Sequence, residues 1–129
     1  MSDVARRLLR AWLLRQLDAE RGAWMDAQIA ALRQDPADAV LHVALGMIPR
    51  RLGKAALALS AADLAAADKA IEGWDPRGWS ITDAARILLL SGLPVAGTPF
   101  AERFRSLCQT ADAAELVALY RGLPLYQGP

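Results

Sequence analysis

The chain has 129 residues, 15 Lys and Arg against 14 Asp and Glu, and 54% hydrophobic residues, of which aromatics make up only 6% of the chain. That length suits one domain spanning residues 1–129 with a core of its own, and the charge balance lacks the basic excess of a nucleic-acid binder, so no nucleic acid is expected. The lone cysteine, Cys108, excludes an internal disulfide and points to a reducing compartment.

Alanine and leucine carry the apolar content, and both lose little side-chain freedom in a helix. The class is therefore all-α. Asp3 to about Glu20 forms the first amphipathic segment, with Ala5, Leu8, Leu9, Trp12, Leu13 and Gln16 on one face. A turn near Arg21-Gly22 leads to a second helix with Trp24, Gln28, Ala31 and Leu32 on one side. Asp35-Pro36 separates it from a third, Ala37 to Ile48, which Pro49 is expected to end. Arg50-Arg51-Leu52-Gly53-Lys54 then reads as a loop or tight turn.

Ser60 followed by Asp63 looks like a helix cap, and that helix runs to about Ile71 and stops at Gly73. Trp74-Asp75-Pro76-Arg77-Gly78-Trp79 is a turn-rich connector. Ser80 or Thr82 caps the next helix, through Leu90, which is apolar almost all round and should be the most buried. Thr98-Pro99 starts another, with Phe100, Phe104, Leu107 and Cys108 on one face. A last helix starts at Thr110 or Asp112 and ends at Gly122. Asp83-Ala84-Ala85 ending in Gly92-Leu93-Pro94 is echoed by Asp112-Ala113-Ala114 ending in Gly122-Leu123-Pro124. This echo favours an irregular HEAT-like stack of six to eight short helices, with a closed helical bundle as the alternative.

No stretch approaches the roughly 18 uninterrupted apolar residues of a membrane span. Arg10 and Arg15 interrupt the leucines where a signal peptide needs an apolar core. A cytoplasmic location is expected.

The catalytic equipment is thin. His42 is the only histidine, which excludes an HExxH pair, and Cys108 sits among Phe104 and Leu107 as a small hydrophobe. Most carboxylates fall at helix starts, where they complement the helix dipole. Gly53-Lys54 lacks the upstream glycine of a phosphate-binding loop. No metal, cofactor or catalytic residue is expected.

Two stretches remain as candidate binding residues. Arg50, Arg51 and Lys54 put three cations within five residues; they either satisfy carbonyls at a helix end or form a site for phosphate or carboxylate. Trp74, Asp75, Arg77 and Trp79 form either a rigid connector or an aromatic-walled groove. In that connector one ring is expected in the core and the other partly accessible, with Arg77 against a ring or Asp75.

Ile48-Pro49-Arg50-Arg51-Leu52-Gly53-Lys54, Leu57-Ala58-Leu59-Ser60, Trp74 to Trp79, and Thr110-Ala111-Asp112-Ala113-Ala114-Glu115-Leu116 through Tyr126 together resemble the EboA family. The resemblance covers essentially the whole chain and is most specific from Ile48 to Trp79. Family members are longer, so the resemblance implies a match to their N-terminal part, which fits the connector-like Leu123 to Pro129.

The resemblance further implies a bacterial protein of secondary metabolism, encoded beside a prenyltransferase-like membrane protein and enzyme-like partners, and concerned with metabolite traffic. On this basis the chain is expected to be a non-enzymatic adaptor or metabolite-binding protein assisting export of a precursor. The alternative is a pure interaction scaffold for a membrane or enzyme partner.

Overall fold

The computed structural model describes residues 3–35 and 38–91, together with positions 102, 105 and 109. Among the described residues are five helices and no strand: α1 (Asp3–Gln16), α2 (Ala19–Gln34), α3 (Asp38–Leu52), α4 (Ala61–Ala70) and α5 (Ile81–Ser91). Five is fewer than the six to eight expected. The helices expected after Thr98 and Thr110, the second copy of the echo, and the grouping of Phe100, Phe104, Leu107 and Cys108 lie outside the described residues. Positions 102, 105 and 109 are helical and exposed.

The break between α1 and α2 comes at Asp18, earlier than the Arg21-Gly22 turn suggested by the sequence. Asp18 has extended backbone angles and accepts the Arg21 N–H at 2.8 Å, so it caps α2. Gly22 is consequently helical and buried. A methyl group there would come to 3.0 Å from the end of the half-exposed Leu14 side chain, which would have to shift slightly to admit it. The inward face of α2 is also rotated from the expected one. Met25 and Leu32 are buried, whereas Ala31 is exposed.

Pro49 does not end α3. The helix continues through it to Leu52, placing Arg50 and Arg51 in its last turn rather than in a loop. A proline has no N–H to give the carbonyl four residues back, here that of Leu45. That carbonyl is instead met from outside the helix, by Nε of Arg86 on α5 at 3.2 Å. Arg86 is 4% exposed. Its NH1 finds no partner among the described residues, so the contact to Leu45 is the polar anchor that keeps this guanidinium inside. Gly53, at φ +87°, then turns the chain out of the helix and donates to the Pro49 carbonyl at 3.1 Å.

Both later helices start with reciprocal caps. Ser60 and Asp63 exchange side-chain and backbone hydrogen bonds at 2.8 and 3.1 Å. Ser80 and Asp83 do the same at 3.0 Å in each direction, which decides between Ser80 and Thr82 as the cap of α5. The Thr82 hydroxyl is engaged elsewhere, donating to the Gly53 carbonyl at 2.7 Å.

As its composition predicts, α5 is the innermost of the described elements: every residue from Ile81 to Leu90 is buried. It packs against α1, α2 and α3, and α1 packs in turn on α4. A linear hairpin stack would restrict contacts to sequence neighbours. Among the described residues the helices are gathered round α5, with contacts between helices that are not neighbours in sequence.

Candidate functional site

The backbone between Gly53 and Ala58, which follows the first of the two stretches, pairs with the residues that close the second. This segment runs extended and antiparallel to the start of α5. Leu57 donates its N–H to the Trp79 carbonyl at 2.9 Å and Ile81 donates to that of Ala55 at 2.8 Å, flanking an isolated bridge of Ala56 with Ser80. No β-strand pair results.

The opposite edge of the segment is held by the end of α1. The Gln16 side-chain amide donates to the Ala56 carbonyl at 3.1 Å and accepts from the Ala58 N–H at 2.6 Å, standing in for a neighbouring strand. Arg15 donates to the Ala58 carbonyl at 2.9 Å and pairs with Asp63 at 2.8 Å. That pair, with the Ser60 cap, holds the Asp63 carboxyl at about 2, against an ordinary 3.8. An irregular loop thus has its backbone groups satisfied on both sides, which makes it a rigid arch.

The tryptophans depart from the expected arrangement. One ring was expected to be partly accessible, but Trp74 and Trp79 are 2% and 4% exposed. Gly73 and Gly78 take φ of +85° and +81°, bending the connector so that both rings fall inward. There they form a cluster with Trp12 of α1, with centroids 5.3 Å apart for Trp12 and Trp74 and 6.1 Å for Trp74 and Trp79. The buried Nε1 of Trp74 finds no acceptor among the described residues.

Arg77 meets Asp75, as one of the two expectations had it. Their side chains pair at 2.6 Å on the exposed surface, and the guanidinium holds the Asp75 carboxyl below the usual carboxylate range. A shallow open recess of about 340 Å³ lies beside Leu64, Asp68, Trp74, Asp75 and Arg77. Its acids are already engaged, Asp75 by Arg77 and Asp68 by the Gly73 N–H at 3.0 Å.

Arg50, Arg51 and Lys54 are all exposed. Neighbouring residues on a helix point about 100° apart, so Arg50 and Arg51 diverge. The Arg51 guanidinium lies over the Trp24 ring at 5.9 Å, beside a recess that also includes Asp18 and Glu20. It therefore faces carboxylates as well as an aromatic ring. At the end of α3 the two arginines also complement the helix dipole.

A cleft between α1 and α2 was not anticipated. Arg6 and Arg10, one turn apart on α1, face Asp26 and Arg33 of α2 above Leu88 of α5. The only signal in the sequence was the four-residue spacing of the two arginines on α1.

Among the described residues no cluster of His, Cys, Asp and Glu could hold a metal ion, and no helix is long and apolar enough to cross a membrane. His42 is exposed on α3.

The family model described as "Metabolite traffic protein EboA" matches residues 5–129, nearly the entire chain. The chain belongs to the EboA family. No curated protein and no solved structure matches it. The family description names a traffic role, not a reaction, and the match spans both the arch and the tryptophan connector characteristic of the resemblance.

Proposed function

We propose that this EboA-family chain is a non-enzymatic, cytoplasmic adaptor in metabolite traffic that works by docking a pathway protein. The docking edge consists of Arg50, Arg51, Lys54, Asp75 and Arg77, with Trp74 and Trp79 beneath it as the rigid base. The observation that supports this reading is the pairing of the Gly53–Ala58 arch with the start of α5. It ties the segment that follows Arg50–Lys54 to the residues that close the tryptophan connector, with the Gln16 amide on its other side.

The burial of both tryptophans removes the aromatic wall that a metabolite groove at this place would need, which favours the scaffold reading over the binding-protein reading. The expected partner is the membrane protein or an enzyme encoded beside family members, with an acidic surface at the contact.

The test measures binding of the purified protein to that prenyltransferase-like membrane protein in detergent. The exposed-residue variant Arg50→Gln, Arg51→Gln, Lys54→Gln should bind at least tenfold more weakly, with an unchanged helical spectrum. Equal binding by variant and native protein would remove the edge from the interface. A native mass spectrum showing a metabolite retained by the native protein and lost in Arg77→Ala would return the groove reading to first place.

A further inference from the structure

We propose that the outer face of α3 is a self-docking surface, on which a second copy of this chain lays its own α3 antiparallel, the two helices crossing at Gly46. Val43, Gly46, Met47 and Arg50 stand three, four and seven positions along from the first of them, so they form one stripe of the helix. Val43, Gly46 and Arg50 are exposed and Met47 is half-buried. Val43, at 66%, is the more exposed of the two large aliphatic side chains that the described residues leave on the surface.

Gly46 is the residue that the single chain does not account for. A glycine inside a helix weakens it relative to alanine, and its usual justification is a turn or a close approach. Gly46 makes no turn: the positive φ angles belong to Gly53, Gly73 and Gly78. Nothing in its own chain approaches it either, since a Cβ built there meets no atom within 4 Å. What the glycine provides is a notch in an exposed stripe, with Val43 and Met47 as its shoulders. The distance between packed helices is set by the side chains at their contact, so the notch lets a second helix come close.

Charge selects the occupant. α3 opens on Asp38, shortly after the exposed Asp35, and closes on Arg50 and Arg51, with Lys54 just beyond. A two-fold axis at Gly46 sets each residue against the one equally far on its other side, which brings position 54, a lysine, to position 38, an aspartate, at both ends. Lys54 is exposed and makes no ion pair among the described residues. Parallel helices would set like charges together, whereas the antiparallel pair also opposes the two helix dipoles. The face meets the docking edge at Arg50 and Lys54 and does not rest on the reading of that edge.

The experiment is sedimentation equilibrium of the full chain at low salt, over protein concentrations from about 5 to about 500 µM. A contact made by one helix from each copy belongs to the small, weak class of interfaces, so a reversible dimer with Kd on the order of 100 µM is expected, weakening as salt is added. Gly46→Ala should raise Tm by about 3 °C and yet weaken the dimer about tenfold, a separation that a glycine needed only for folding would not give. Gly46→Leu should abolish the dimer while the helical spectrum stays native. Lys54→Glu should weaken it about tenfold, and adding Asp38→Lys should recover the loss.

A native chain that stays monomeric over the whole range overturns the proposal and leaves the face to a different protein. A dimer untouched by Gly46→Leu, or a charge exchange that recovers nothing, overturns it as well. These outcomes are read on the isolated protein, so they are independent of the partner measurement on the docking edge.

Discussion

Removal of the Arg86 side chain should be better tolerated, by about 1.5 kcal/mol, in a chain that has also lost Pro49. The reasoning starts from one carbonyl. Pro49 cannot donate to the Leu45 oxygen, and Arg86 Nε does so instead at 3.2 Å in a buried setting. Leaving a buried acceptor without a donor costs about 1–3 kcal/mol, and a hydrogen bond from a charged donor contributes about 1.5–3 kcal/mol. The separation is on the long side for an N–H donor, so the lower half of those ranges applies.

Arg86→Met removes the donor but also removes a buried charge whose NH1 lacks a partner, and burying that charge has a cost of its own. The single change therefore has no predictable sign, but the double-mutant cycle does. In Pro49→Ala the new N–H of residue 49 can take the Leu45 oxygen within the helix, and Arg86→Met no longer orphans it. The coupling between the two sites should be about 1.5 kcal/mol, well above the roughly 0.5 kcal/mol within which unlinked sites add. Urea unfolding of the four proteins, with equal slopes, measures it. Additivity within that margin would mean that Arg86 does not replace the lost helical bond, and that α3 tolerates Pro49 for another reason.

The tryptophan cluster yields a second prediction. Trp74 is 2% exposed and lies between Trp12 and Trp79, so Trp74→Ala should lower stability by about 3–5 kcal/mol in chemical denaturation. A loss below 1 kcal/mol would place the ring outside the core. The third prediction concerns acid. Asp63 sits at about 2 instead of 3.8, chiefly through its hydrogen bond from Arg15 and then the Ser60 cap. A carboxyl lowered on folding contributes stability that is complete above its unfolded value and disappears as pH falls through its folded one. Arg15 is half exposed, so solvent screening reduces that contribution to about 1 kcal/mol. Native protein and Asp63→Asn should therefore differ by about that amount at neutral pH and converge between about pH 4 and pH 2. A gap that stayed constant on acidification would assign the effect to packing.

Local chemistry accounts for what the sequence determined unaided. Ala and Leu dominance specifies helices, and the serine caps at Ser60 and Ser80 act between residues three apart, within reach of any reading of the chain. The run from Ile81 to Leu90 has so little polar surface that no placement but the centre would suit it, and every one of its residues is buried. The positive-φ glycines, Gly53, Gly73 and Gly78, likewise mark real turns.

What tertiary structure decided are the places where a distant group changes a local preference. Pro49 is a helix breaker until Arg86, 37 positions later, supplies the missing donor. Gly22 reads as a turn until the Asp18 cap starts α2 upstream of it and places it inside the helix. Trp74 and Trp79 read as one inner and one outer ring, because the five-residue spacing says nothing of Trp12, which gives both a surface to bury against. The cleft of Arg6, Arg10 and Arg33 was equally hidden: each arginine is unremarkable on its own helix. Only the packing of α1 and α2 over Leu88 sets them around one space. Caps and turns depend on contacts a few residues apart and can be read in order along the chain. Sites depend on contacts between elements, whose relative placement follows from how the whole set of apolar faces is buried at once.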